Sequence, residues 1–132
     1  MTFERAIVYV FMMAGEEEVE QLEHFLRVGL KAQQQYGDYA GLVGLLHDLV
    51  EDGWTTRGRL EQAGFPQIVV DAVMELTRTD EPETYVRYIE NIASGSLLAR
   101  NVKIIDIYDN LSRKPKHPEH EARYRAALEV LL

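Results

Sequence analysis

The stretch from Tyr39 to Glu51 constrains this chain more than any other. Leu42, Val43, Leu45, Leu46, Leu49 and Val50 follow so closely that, at ~100° per residue, they cover most of a helix circumference. A helix that is apolar nearly all round needs other elements wrapped about it. The spacing therefore predicts a buried helix over 39–51 and a fold assembled around it. Gly37-Asp38 breaks the chain before it, and Gly53 sits where a helix C-terminus places glycine.

The flanking segments also read as helices. Thr2 is expected to cap a helix to about Met13, with Gly15 as its stop. From about Glu16 to Tyr36, Val19, Leu22, Leu26 and Leu30 recur near helical spacing. Thr55 or Thr56 caps a short helix to Ala63, ended by Gly64, and Pro66 fits the first turn of a helix to about Arg78. Asp80-Glu81-Pro82 reads as a turn, and Glu83 to Ala93 as a helix. Ser96 can cap a helix from Leu97 to Leu111, and Pro115 and Pro118 bracket a loop before a last helix to Leu132. Nothing alternates with period two. The expected fold class is all-α, one domain over residues 1–132, packed as a compact orthogonal or bundle-like array.

Composition narrows the function classes. The 132 residues carry no cysteine, which excludes disulfides, thiolate metal sites and cysteine nucleophiles. The formal net charge of −8 repels phosphate backbones, so neither nucleic acid nor an anionic membrane is an expected partner. A small phosphate substrate remains compatible, because one metal ion and a few local cations reverse the field inside a cleft. No apolar run approaches the ~20 residues of a membrane span. The N-terminal stretch lacks a basic n-region and a small-residue cleavage site, and Glu16-Glu17-Glu18 follows directly, so it reads as a core helix and the location as cytoplasmic. The apolar first helix and the Leu-rich C-terminus can pack inside one subunit or cover a homodimer interface, and patterning does not choose.

The buried helix carries the chemistry. Its C-terminal end reads His47-Asp48-Leu49-Val50-Glu51-Asp52, and helical spacing sets Glu51 one turn below His47 and Asp52 one turn below Asp48. Burying unpaired carboxylates at a helix C-terminus is unfavourable twice over, by desolvation and by the dipole. A divalent cation is the simplest offset. Taken singly, each of these residues reads as a satisfied core histidine or a solvated helix end. Two further positions change that balance. His24 stands beside Phe25 and Leu26, and Asp106 lies within Val102-Lys103-Ile104-Ile105-Asp106-Ile107-Tyr108, where a carboxylate is out of place on solvation grounds. Lys103 and Asn110 share the Asp106 face. Two imidazoles and two carboxylates suit Mn²⁺, with Fe²⁺, Zn²⁺, Co²⁺ or Ni²⁺ also accommodated.

The ordered set His24, His47-Asp48 and Asp106 resembles the H…HD…D pattern of the HD-domain superfamily of metal phosphohydrolases. His24-Phe25-Leu26-Arg27-Val28 is similar to that group's "His-Pro-Leu-Arg-Val" helix. Leu45-Leu46-His47-Asp48-Leu49-Val50-Glu51-Asp52 resembles the "Leu-Leu-His-Asp-Val-Val-Glu-Asp" of RelA/SpoT-type guanosine-3′-diphosphate hydrolase domains. Leu76-Thr77-Arg78, Tyr85-Val86-Arg87-Tyr88-Ile89 and Ala99-Arg100-Asn101-Val102 through Leu111 are similar to small stand-alone proteins of that branch. The likeness covers about His24 to Leu111. Two differences stand out: Phe25 replaces the proline, and the acidic Glu16 to Glu20 stretch stands where the family carries a basic segment.

The resemblance implies a helical HD-type array and hydrolysis of a phosphoester or pyrophosphoester of a nucleotide, most closely an alarmone-like guanosine 3′-diphosphate. It implies that His24, His47, Asp48 and Asp106 hold the metal, and that Glu51 and Asp52 position and activate water. Asn110 matches the family's substrate-side asparagine. Arg27, Lys103 and Arg100 are expected phosphate contacts, since charge-assisted donors stabilise a developing anion. Two alternatives stay open: a 5′-nucleotidase-like phosphomonoester hydrolase, and a non-catalytic nucleotide-binding HD domain.

Overall fold

The structure, a computed structural model, describes residues 1–79, 84–113 and 117–132. The expected Asp80-Glu81-Pro82 turn, the start at Glu83 and the Pro115 loop lie outside the described residues. Within them the chain is all-helical, and no strand occurs among the described residues. The elements are α1 (Phe3–Met13), α2 (Val19–Tyr36), α3 (Asp38–Leu46), α4 (Arg57–Gln62), α5 (Gln67–Leu76), α6 (Tyr85–Ala93), α7 (Leu97–Ser112) and α8 (Pro118–Leu131).

Hydroxyl caps start four of them. The side chains of Thr2, Thr56, Thr84 and Ser96 each accept from the backbone N–H three residues on, satisfying donors that a helix start leaves unpaired. Pro66 sits one residue outside α5 as its cap rather than in its first turn, and α5 ends at Leu76, short of Arg78.

The apolar helix lies at the centre, as its pattern requires. Every residue from Ala40 to Leu46 is buried, and α3 packs against α1, α2, α5 and α7. Leu42, Val43, Leu45 and Leu46 alone contribute on the order of 8 kcal/mol of burial, an upper bound because the unfolded chain already hides some apolar surface. Helices α6 and α8 pack on each other, and α8 also lies against α7. Of α1, Ala6 and Val10 face the core while Val8, Phe11 and Met12 stay exposed. Among the described residues no helix is long and apolar enough to cross a membrane.

One element ends sooner than its sequence predicts. The helix expected to continue to Glu51 stops at Leu46, and residues 47–53 form a run of turns. The His47 side chain competes there: its Nδ1 lies 2.6 Å from the Gly44 carbonyl oxygen, the acceptor that the next helical bond would use. The chain tightens instead, with the Leu49 amide donating to the Leu46 carbonyl three residues back. Gly53, at φ 83°, then turns the backbone through the left-handed region, and the amides of Trp54 and Thr55 return to the Leu49 carbonyl. Glu51 and Asp52 therefore do not continue a helical strip below His47 and Asp48. They sit on a turn.

Candidate metal centre

Three elements meet where α2 crosses α3 and α7. His24 comes from the middle of α2, His47 and Asp48 from the turn after α3, and Asp106 from the middle of α7. One donor atom from each of the four lies within 4.8 Å of every other. Donors on opposite sides of one ion at ~2.1 Å are separated by roughly 4.2 Å, so small side-chain adjustments let one divalent cation bridge the set. His24, His47 and Asp106 are buried, and Asp48 is partly so.

The orientation of the two rings matters more than their proximity. Their centroids are 5.1 Å apart and nearly perpendicular. His47 gives Nδ1 to the Gly44 carbonyl at 2.6 Å, and His24 gives Nδ1 to Asp109 Oδ2 at 2.6 Å. Both acceptors lack a proton, so each ring is the Nδ1–H tautomer when neutral. Both Nε2 lone pairs then face carboxylate oxygen: His24 Nε2 lies 2.9 Å from Asp106 Oδ1, and His47 Nε2 lies 3.2 Å from that atom and 3.1 Å from Asp48 Oδ2. His47 Nε2 is buried with no hydrogen-bond partner among the described residues. Lone pairs aimed at anionic oxygens repel unless a proton or a metal cation stands between them. A divalent metal fits that demand, and its ligand set of imidazole nitrogen and carboxylate oxygen suits a borderline ion.

The protonation directions express the same conflict. Burial opposes a charge on His47, but Asp48 and Asp106 outweigh it and hold the imidazole well above its ordinary value. Burial likewise opposes ionisation of Asp106, and Lys103 and His47 overcome it, keeping that carboxyl well below its usual range. Asp48 is lowered in the same way, its burial outweighed by His47. Partial burial opposes the charge on Lys103, and Asp106 overcomes it, holding the ammonium well above its ordinary value. Its Nζ donates to Asp106 Oδ2 at 2.9 Å and stands 5.2 Å from the Tyr88 ring centre. Asn110 Nδ2 donates to Asp106 Oδ1 at 3.3 Å.

A polar cleft of about 320 Å³ opens on these residues. His24, Asp48 and Asp106 line one side, and Lys103, Asn110 and Glu51 adjoin them. Glu51 Oε1 accepts from the Arg78 backbone N–H at 2.6 Å, and its carboxyl is pushed up by partial burial and by Asp48. Asp52 is pushed up to about 6 by partial burial, then by Asp48, Glu17 and Glu51. Much of each carboxyl surface remains open to solvent, which moderates both effects.

The remaining expected contacts lie elsewhere. Arg27 is turned onto Asp109, with Nε donating to Oδ1 at 2.8 Å and Nη2 to Oδ2 at 3.1 Å. Arg100 is in the first turn of α7, where its Nε donates to the Leu131 carbonyl at 2.7 Å and closes the end of α8. Neither lines the cleft. Asp109, which in the sequence reads as a local cap or ion pair, lies against His24 Nδ1, and the α6 and α8 residues Tyr85, Tyr88, Arg123 and Tyr124, none of them among the expected site residues, line the cleft. Asp109 had one available signal: it follows Asp106 by three residues on the same helix face. Tyr85 and Tyr88 stand in a segment with a family-like sequence, which gave them no role, and the α8 contributions arise from packing between distant segments and had no signal.

Compared with known proteins, the chain matches no protein-family model and no curated protein.

Proposed function

We propose that this chain is an HD-type metal-dependent phosphohydrolase acting on a phosphoester or pyrophosphoester of a nucleotide, with an alarmone-like guanosine 3′-diphosphate as the substrate class. The observation that carries this reading is the convergence of two Nδ1-anchored imidazoles on one oxygen of Asp106, in the chain order His24, His47-Asp48, Asp106. Mn²⁺ is the favoured ion. A bound divalent cation supplies Lewis-acid activation of water and neutralises charge on the phosphoryl group.

The chain's own residues supply the rest. Glu51 faces the cleft with one oxygen held by the Arg78 amide, and its raised proton affinity suits a group that accepts a proton from attacking water. Asp52, at about 6, is tuned in the same direction. Lys103 and Asn110 hold Asp106 in place and border the space a phosphate would fill. Arg123, which also lines the cleft, adds positive charge within an acidic protein. Arg27 and Arg100 are engaged with Asp109 and Leu131 and have no part in substrate contact in this reading.

A second reading has one specific observation in its favour. Glu17 accepts from Trp54 Nε1 at 3.0 Å beside the turn that carries Asp52, so an acid stands near the site where the resembling hydrolases bring basic residues. That arrangement favours a less highly charged substrate, a nucleoside monophosphate cleaved in the manner of a 5′-nucleotidase.

The test is release of pyrophosphate and phosphate from guanosine 3′,5′-bis(diphosphate) in Mn²⁺, with His47→Ala/Asp48→Ala and Glu51→Ala as controls. Pyrophosphate release that disappears in the variants supports the first reading. A wild-type chain that binds Mn²⁺ but releases only phosphate, and only from nucleoside monophosphates, selects the second. Nucleotide binding without turnover of either substrate overturns both.

A further inference from the structure

The two imidazoles are fixed by unlike means. His47 is anchored to a backbone carbonyl of α3, the helix it follows, which no side-chain substitution removes. His24 is anchored to the buried carboxylate of Asp109, and that carboxylate is itself held from outside by the forked guanidinium of Arg27, with Arg113 Nε a further 3.5 Å from Oδ2. The pattern is regular in sequence. On α2, Arg27 follows His24 by three residues; on α7, Asp109 follows Asp106 by three residues. Each of the two crossing helices thus brings one ligand and, one turn on, one supporting residue on the same face.

We propose that Asp109 and Arg27 are positioning residues for the metal ligand His24, with Asp109 fixing the ring as the Nδ1–H tautomer and Arg27 holding the Asp109 carboxylate in orientation. This rests on the metal-site reading above. The physical case is one of donors and acceptors. A neutral imidazole carries one proton on two nitrogens, and the partner of one nitrogen decides whether the other is free to bind a metal. An ionised carboxylate can only accept. It therefore draws the proton to Nδ1 and leaves the Nε2 lone pair directed at Asp106, where the other donors converge. An asparagine at 109 can offer N–H instead, which lets the proton move to Nε2 and removes His24 as a ligand. Arg27 makes two parallel hydrogen bonds to the carboxylate, a geometry lysine cannot reproduce.

The experiment compares the wild type with Asp109→Asn, Arg27→Ala and Arg27→Lys. Two readouts are used: Mn²⁺ affinity by titration calorimetry, and the His24 tautomer from ¹⁵N ring shifts in the metal-free protein. The expected result is a 10- to 100-fold loss of Mn²⁺ affinity in Asp109→Asn, typical for removing a ligand's outer partner, together with a shift of the His24 proton toward Nε2. Arg27→Ala is expected to lose roughly tenfold, and Arg27→Lys to recover part of it. Arg27 sits at the surface with its side chain 43% exposed, so its variants keep the test decisive if Asp109→Asn does not fold. Folded variants that bind Mn²⁺ within twofold of the wild type, with the tautomer unchanged, overturn the positioning roles alone. A wild-type chain that takes up no Mn²⁺ overturns the metal-site reading and this inference with it.

Discussion

Gly44 and Gly29 touch backbone to backbone: a Cβ on Gly44 would stand 2.9 Å from the Cα of Gly29 and 2.9 Å from the Val28 carbonyl oxygen. Helices α2 and α3 are drawn together at that point, and each carries an imidazole within five residues of it, His24 on one side and His47 on the other. The separation of the two rings is therefore set by a contact between main chains, which side-chain motion cannot relax. Gly44→Ala is expected to cost about 1–3 kcal/mol by overpacking and to weaken Mn²⁺ binding as well. Gly53→Ala, at φ 83° with open space around its Cβ position, is expected to cost about 1–2 kcal/mol through backbone strain and leave ion affinity unchanged. Urea unfolding beside Mn²⁺ titration separates the two effects.

Ion binding is expected to raise thermal stability. A cation held by the folded chain alone adds RT ln(1 + [L]/Kd), about 2.7 kcal/mol at a hundredfold excess over Kd. For a chain of this size that is roughly 8–10 °C in the unfolding midpoint. Chelator-treated protein titrated with Mn²⁺ should show the rise, and His47→Ala should lose it. An equal rise in that variant would show that the ion acts elsewhere.

The acidic turn gives a pH dependence with a definite sign. Asp52 has its folded-state pKa raised from 3.8 to about 6. A raised folded value means that its stabilising contribution is present below the unfolded value and is lost as pH rises through the folded one. Without metal, the protein should lose stability between those two pH values, because the unfolded chain ionises first. Asp52→Asn removes the effect. At neutral pH the metal-free variant is expected to exceed the wild type by about 1 kcal/mol, after allowance for solvent screening at this open position. The difference should vanish below the unfolded value, and denaturant midpoints across this range check it.

Arg100 distinguishes packing from chemistry. Its guanidinium closes the C-terminal end of α8 through the Leu131 carbonyl, so Arg100→Ala is expected to destabilise the protein by about 1 kcal/mol. Ion affinity and any phosphate release should stay unchanged. A selective loss of turnover in a fully stable variant would place Arg100 at the substrate instead.

Much of the architecture was legible in the chain because solvation cost leaves a trace in sequence. A helix apolar around most of its circumference had to be buried, and Ala40 to Leu46 of α3 are. An imidazole and a carboxylate on apolar faces had to find partners inside, and His24 and Asp106 lie 2.9 Å apart. What escaped has equally physical causes. The end of α3 at Leu46 depends on a side chain taking an acceptor from the backbone, a competition that propensity does not register. Asp109 has a sequence neighbourhood like that of an ordinary surface acid, and only the crossing with α2 buries it. Arg123 and Tyr85 come within 4.6 Å through the packing of α8 on α6, a pairing that no local pattern encodes.

The placement of α8 carries a consequence for which parts of the cleft can be altered independently. His24, His47, Asp48 and Asp106 all precede α8, whereas Arg123 and Tyr124, which line the cleft, belong to it. The four donors and these two lining residues therefore sit on different elements, and a substitution on the cleft side of α8 changes the lining and its charge without replacing any of the four.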